Sequence, residues 1–568
     1  MLFFNYSGKS MVENGLTPGD ESADHLIRPQ LTHAFLFFPF SFQLDKDKFS
    51  AFTKSGRWYR PSYEIDTGLE YNEYLYFYPY IRKILISLGD TPSEGTGFFR
   101  WKEGIDLQKT ENEILHILRI YYHDDKKSPY WDMLLTDAFL HFYPNGVGVL
   151  VLELLSNLEK NANIPLPKHY QPPKSLPDYI RFFDLARRIY VSFVDGDYKF
   201  DCENGKIAAI KSGQCPISTE IMQINGNNSK VIVKHCFKEK GKPLPNLEES
   251  GFLSSVIKFF LDTEVNGNKF TYLPVINYDD YGYRPLIDDR MFVSAYYRMN
   301  NDTYSNSFIQ DLKQYFENPG QAVNLGDTYN STGFLEYWYK MMFLDGSGLT
   351  CQNSLMFRKL LNEATYTRWT RYSTFYGFTR YSAVTLVAPD NHEYVHNHFQ
   401  TMYYQMALLN FFYRGSLLNF SRRSSDISRE IHSGGSLKKL DRLYKDFLRF
   451  RNEYWFREVT AQEQGIEMFN LWMKQMNSVE LMKDIEGEIG ALYEYVNYRS
   501  DKNIQTVGAA ALPIVIFAGI LGMNIYNYCS NNKWWLAAWA ATAVLTFLFA
   551  YNFFKIWRKN KQGLRKST

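Results

Sequence analysis

Three patterns of apolar and polar residues follow one another along the chain. Up to about residue 390, short apolar runs alternate with turn residues: HAFLFFPFSFQL, DAFLHFYPNGVGVLVLELL with its Pro-Asn-Gly turn, SKVIVKHCF, RMFVSAYY and YSAVTLVAP. These runs are rich in β-branched and aromatic residues and predict strands. PDYIRFFDLARRIYVSF and FLSSVIKFFLDT predict helices, and the stretches rich in Pro, Gly and Asn at Asn161 to Pro177 and Gly241 to Gly251 predict loops. Residues 1–390 therefore read as a mixed α/β domain, expected to be cytosolic.

From about Asn391 the pattern lengthens. Proline disappears, glycine becomes scarce, and two long periodic segments flank a break at Gly434-Gly435, which predicts a pair of long helices. A third helix is predicted from Ser478, placed to cap it ahead of Glu480. Leu481, Ile485, Ile489, Leu492 and Val496 recur every three or four residues, a stripe suited to neighbouring helices. Residues 391–500 thus read as a long-helix stalk bundle. With no proline before Pro513, its last helix is expected to run on into the C-terminal end.

That end is the third pattern. No residue from Asn503 to Asn532 carries a charge, and within this window TVGAAALPIVIFAGILGMNIYNY supplies about 20 residues, enough for roughly 30 Å of hydrocarbon. A second charge-free run follows from Trp534 to Phe554. Residues 501–568 are therefore expected to form a C-terminal two-helix transmembrane hairpin, at about 506–528 and 534–554, with a basic tail.

Composition averages this away. The 568 residues have a mean hydropathy of -0.36, and 63 Lys plus Arg stand against 61 Asp plus Glu. Without a basic excess, no nucleic-acid partner is expected. Charge distribution says more than the total. Lys555, Arg558, Lys559, Lys561, Arg565 and Lys566 follow the second run with no acid among them, whereas the connector carries only Lys533. By the positive-inside rule both termini face the cytoplasm, and the expected location is the inner (plasma) membrane, crossed more than once. Aromatic residues reach 17%, an excess assigned to core and subunit-contact packing. Five scattered cysteines, without a close CxxC, give neither a disulfide framework nor a zinc ribbon. MLFFNYSGKSMVENG lacks the apolar core of a secretory leader, so the bulk of the chain is expected in the cytosol.

Catalytic patterns are missing: there is no GxxxxGK[ST], strand-led GxGxxG, GxSxG or HExxH, so neither an enzyme nor an organic cofactor is expected. Two sets of residues suit cations. In NHEYVHNHF, His392 and His396 are four apart with Glu393 and His398 nearby, a spacing that can chelate a metal, although histidines at a helix start also cap, stack or hydrogen-bond. On the third stalk helix Glu480, Asp484, Glu486, Glu488 and Asp501 either bind divalent cations between subunits or form a solvated face. Asp484, Glu488 and Asp501 are the candidates for a regulatory metal.

The most informative residues are Gly522-Met523-Asn524, at the end of the first charge-free run. An amide at this position needs water or a partner. ALPIVIFAGILGMN, a short loop, a second apolar run and a basic end together resemble the CorA family of magnesium and divalent-cation transporters, whose signature is Gly-Met-Asn. The resemblance is strongest over Ser478 to Lys566. It implies a homopentamer in a lipid bilayer, with Asn524 in a selectivity ring near Gly522, Met523 and Asn527. It also implies apolar constrictions at Leu512 and Ile504, and Pro513 and Gly519 as structural residues of the pore helix. Mg²⁺ would be both the transported and a regulatory ion, driven by the membrane potential without ATP. One departure stands out. The loop IYNYCSNNKWW lacks the acidic residue usual after the signature and leaves Asn527, Asn531 and Asn532 as its polar groups. The alternatives are a zinc transporter of the same superfamily, or a membrane-anchored cytosolic ligand-binding or sensor protein in which the helices only anchor the chain.

Overall fold

A computed structural model describes residues 27–42, 55–61, 65–86, 97–104, 114–121, 130–158, 166–167, 169–189, 199–201, 206–208, 218–225, 228–236, 253–265, 268–273, 282–287, 290–317, 333–346, 349–390, 393–429 and 436–522, together with 540, 543, 544, 547 and 551. The chain divides into two compact units. The first comprises residues 1–419 and 454–479, the second 420–453 and 480–568.

The first unit is organised around a fifteen-stranded mixed sheet. Its principal strands are β1 (Pro29–Phe42), β2 (Gly97–Trp101), β3 (Leu115–Tyr121), β4 (Tyr130–Tyr143), β5 (Val147–Leu155), β6 (Ser218–Asn225), β7 (Asn228–Cys236), β8 (Phe292–Met299), β9 (Thr365–Tyr366), β10 (Thr374–Phe378) and β11 (Ser382–Val387). The main path runs β7-β6-β3-β4-β5-β1-β8-β11-β10-β9, and β2 branches onto β4. Only β8 and β11 are parallel neighbours along this path. The β4–β5 hairpin turns at Pro144-Asn145-Gly146, where Gly146 has φ +78°. A Cβ there would lie 2.8 Å from the Phe42 carbonyl oxygen, so the turn needs a glycine.

β1 explains much of the aromatic content. It lies between β5 and β8 with both faces covered, so PQLTHAFLFFPFSF is apolar almost throughout instead of alternating with polar residues. Ala34, Leu36, Phe38, Phe40 and Phe42 join the main core with residues of helices α2 (Leu176–Ala186), α3 (Thr303–Glu317), α4 (Gly333–Phe343) and α5 (Ser354–Ala364). Phe35 and Phe37 point the other way, toward a helical run on the opposite face: α6 (Glu393–His398), a π-turn (Phe399–Tyr403) and α7 (Tyr404–Arg429). Phe35 stacks on Phe399 at 5.4 Å, and Phe37 on Phe411 at 4.9 Å.

Pro39 is tolerated in this central strand because β1 changes partner there. It pairs with β8 as far as Phe37 and with Gly282–Pro285 from Phe40, and the Pro39 carbonyl accepts from Leu286 N–H at the break.

In the second unit, α8 (Ser436–Arg449) buries Leu440, Leu443 and Phe447, and Phe420 packs on Phe447 and Phe450. Helix α9 (Glu463–Gln475) belongs to the first unit and ends at an αL corner, Asn477 with φ +55°, where α10 (Ser478–Gly522) starts. The predicted stripe on α10 buries Ile485, Ile489 and Val496, and Met482 joins it. Leu481 and Leu492 are half-buried. Tyr444 of α8 stacks on Tyr493 of α10 at 4.3 Å, and Arg451 pairs with Glu486. Ser478 does not cap α10, because its buried Oγ has no hydrogen-bond partner among the described residues.

Two expectations are corrected. Among the described residues no helix is long and apolar enough to cross a membrane, so the C-terminal two-helix transmembrane hairpin and the multi-pass inner-membrane location are not upheld. Much of the 45-residue α10 carries charges as far as Lys502, and such groups are costly in hydrocarbon. Of the second apolar run, only residues 540, 543, 544, 547 and 551 are described.

Candidate functional site

The predicted cation residues lie on α10 and just beyond it. Asp501, Ile504, Gly508, Leu512, Val515 and Gly519 are exposed and fall within a stripe of roughly 80° at 100° per residue, and Lys502, Gln505, Ala509 and Ile516 beside it are exposed as well. Ile504 is 66% and Leu512 61% exposed. A Cβ added at Gly508 or Gly519 would meet nothing within 4 Å, so this stripe leaves room for a close neighbour. The backbone stays helical through Pro513 and ends at Gly522. Met523, Asn524 and Asn527 lie outside the described residues, as does the side chain of Pro513.

Asp484 and Glu488 are exposed one turn apart on α10. Asp501 stands 13 residues beyond Glu488, roughly 20 Å along the axis, so the three cannot share one ion within a single chain. No group of three metal-ligating side chains occurs among the described residues.

The NHEYVHNHF histidines are used differently from the chelating spacing. His392 lies outside the described residues. His396 is buried against the sheet, and its Nε2 lies 2.9 Å from Nδ1 of His33 on β1. His398 packs instead on Tyr394 at 4.0 Å.

His33 is the centre of a buried polar network that sequence reasoning missed. Its Nε2 meets Glu153 Oε1 of β5 at 2.9 Å, and Gln400 of the π-turn approaches its Nδ1 at 3.5 Å. Around this chain lie further pairs on the same face of the sheet. Arg100 of β2 pairs with Asp137 of β4, His141 Nε2 meets the Tyr404 hydroxyl at 2.9 Å, and Gln405 donates to Glu73 Oε1 at 2.9 Å from α7. Glu73 belongs to the short helix α1 (Gly68–Tyr76).

Burial and charge set the protonation of these groups in opposite directions. Burial alone would raise the Glu153 carboxyl, but hydrogen bonding and attraction from His33 overcome it and hold the group below its ordinary value. Burial dominates at Asp137, pushed up to about 7 despite Arg100, and at Glu73, also pushed up to about 7 despite the Gln405 hydrogen bond. His141 is pushed down to about 3 by burial and is neutral at physiological pH.

The π-turn sits directly over this network. A wide turn of this kind inside a helical run is common at functional sites. Here it directs Phe399 onto Phe35 and within 5.5 Å of the His33 ring. The one sequence signal for the network was His33 itself, a titratable residue amid the apolar positions of β1. Its partners lie 120 and 363 residues away and share no motif with it. No family model, curated protein or solved structure matches the chain.

Proposed function

We propose that this chain carries Mg²⁺ or a related divalent cation along a path built from the C-terminal ends of α10 in an assembly of several copies, as in the CorA family it resembles. One observation carries the reading. Ile504, Leu512 and Gly519 lie on one side of α10 with Asp501, all exposed, and the helix ends at the glycine of Gly522-Met523-Asn524. The reading rests on α10 alone.

A lone helix cannot enclose a hydrated ion, whereas copies arranged around an axis can. Covering the exposed apolar side chains would favour such an assembly by about 25 cal/mol per Å² buried. Mg²⁺ sheds water reluctantly, so the amide oxygens of Asn524 would receive its hydration shell instead of stripping it. Ile504 and Leu512 would form apolar constrictions that close by dewetting. Asp501, at the charged end of the stripe, would attract the cation.

The test is Mg²⁺ uptake by liposomes reconstituted with the full chain. Asn524→Ala is expected to lower uptake at least tenfold, and native mass measurement to give several copies per particle. No uptake of Mg²⁺, Co²⁺, Ni²⁺ or Zn²⁺ by the unaltered protein, an Asn524→Ala variant indistinguishable from it, or a monomer in mild detergent would each overturn the reading.

A further inference from the structure

We propose that a cavity at one end of the sheet in the first unit binds a metabolite-sized organic carboxylate, with Lys174 meeting the carboxylate and tyrosine and proline side chains covering the apolar body. The site lies in the first unit, apart from α10, and stands whether or not the cation reading does.

The cavity measures about 730 Å³, within the range of about 300–1,000 Å³ that takes such ligands. It opens between the start of β1, the residues just after β5, and the segment that leads into α2. Part of that segment, His169-Tyr170-Gln171-Pro172-Pro173-Lys174, is strapped to the sheet. The Tyr130 hydroxyl of β4 donates to the His169 carbonyl at 3.0 Å, Asp132 N–H to the Gln171 carbonyl at 2.7 Å, and Gln171 N–H to Asp132 Oδ2 at 3.2 Å. The Tyr170 hydroxyl crosses to the Ser156 carbonyl at 2.6 Å. Ser156 is fixed to β1 in turn: its N–H donates to the Thr32 carbonyl and its Oγ accepts from Thr32 N–H, each at 2.9 Å. Pro172 and Pro173 hold φ near about −65°. A wall fixed in this way has little freedom left to lose when a ligand arrives, which lowers the cost of binding.

The lining favours a negative charge. Lys174 and Arg28 belong to it, and among the described residues no carboxylate does. The acids on either side of the strap face other groups. Asp132 makes a two-point pair with Arg119 at 2.8 and 2.9 Å, and Asp178 accepts from the N–H and Oγ of Ser175. Arg28 is engaged through its backbone, donating to Ser305 Oγ and accepting from Asn300 N–H, and has further contacts of its own. The charge assigned to the ligand is therefore that of Lys174, which is exposed.

Gln30 and Asn157, also exposed in the lining, carry amide N–H donors suited to carboxylate oxygens. One ammonium with neutral donors matches a monoanion, whereas a doubly charged phosphate is better matched by the fork of an arginine. Tyr170, Tyr179, Pro167 and Pro173 provide the apolar surface for the rest of the molecule.

Photolabelling of the full chain with 4-benzoylbenzoate, an aromatic carboxylate, tests this, with 4-methylbenzophenone as the neutral counterpart. Cross-links located by mass spectrometry are expected to saturate with the acid in segments 28–30, 156–157 and 166–179, and the neutral probe is expected to label them at least fivefold less at equal concentration. Lys174→Glu is expected to cut labelling by the acid at least fivefold and to leave labelling by the neutral probe unchanged. Asn157→Trp, which fills the cavity from an exposed position, is expected to remove labelling by both. Lack of saturable labelling in these segments, or labelling that persists in Asn157→Trp, overturns the site. Equal labelling by the two probes, or undiminished labelling by the acid in Lys174→Glu, overturns the carboxylate assignment.

Discussion

His33 Nδ1 and His396 Nε2 meet at 2.9 Å although 363 residues separate them along the chain. The contact joins the central strand of the sheet to the first helical turn of the run that covers it. It also places a titratable pair where most of the surrounding side chains are aromatic. The same face holds Glu73, Asp137, Glu153 and Arg100, so ionisation in this layer has consequences for stability.

Glu73 should make the protein less stable as pH rises. Its folded value, about 7, lies above the ordinary 4.5, so the folded state favours the protonated carboxyl. That contribution is full below about pH 4.5 and is lost as pH rises through 7. Glu73→Gln keeps an acceptor for Gln405 and removes the ionisation. It is expected to be more stable than the unaltered protein at pH 8, by on the order of 2 kcal/mol, with the gain shrinking toward pH 5. Thermal unfolding at the two pH values checks this, and an equal difference at both would contradict it.

Gly146→Ala should destabilise the β4–β5 hairpin. The substitution combines φ +78° with a Cβ 2.8 Å from the Phe42 carbonyl oxygen, a strain of about 1–3 kcal/mol. Urea unfolding measures the loss; Gly146→Asn, which tolerates the left-handed region better, should lose less.

Phe37→Ala should cost about 3–5 kcal/mol. The ring is fully buried and lies against Phe292, Tyr404 and Phe411, so its removal leaves a cavity between β1 and the helices above it. A change under 1 kcal/mol in denaturant unfolding would show that the layer can collapse around the gap.

Leu512→Ser separates folding from the proposed path. Leu512 is 61% exposed in the single chain, so the change should alter monomer stability by less than about 0.5 kcal/mol. If Leu512 lines a dewetting constriction, the same substitution should raise Mg²⁺ uptake by liposomes severalfold. Unchanged uptake with unchanged assembly would remove Leu512 from the path.

Local patterns were legible wherever one short segment carries the whole signal. HAFLFFPFSFQL announced β1, the Pro-Asn-Gly turn lies between β4 and β5, and the period of Ile485, Ile489 and Val496 marked the buried side of α10. The start of α10 at Ser478 was also legible, although the expected cap was not formed, because a tight corner at Asn477 leaves the serine Oγ buried and unpartnered. The histidine spacing misled: four residues apart suggests one helix face, but the sheet beneath α6 supplied a nearer partner for His396 than any second ligand of the motif.

Sequence periodicity alone was enough to specify the apolar strands and the long helices, because those depend on neighbours within a few residues. Tertiary structure alone decided that His33, Glu153 and His396 meet, that Asp137 and Glu73 lose water and hold their protons to about pH 7, and that Pro39 falls at a change of strand partner. Each of these depends on which distant segments exclude solvent from a given side chain, and desolvation is a property of the packed layers that no local pattern encodes.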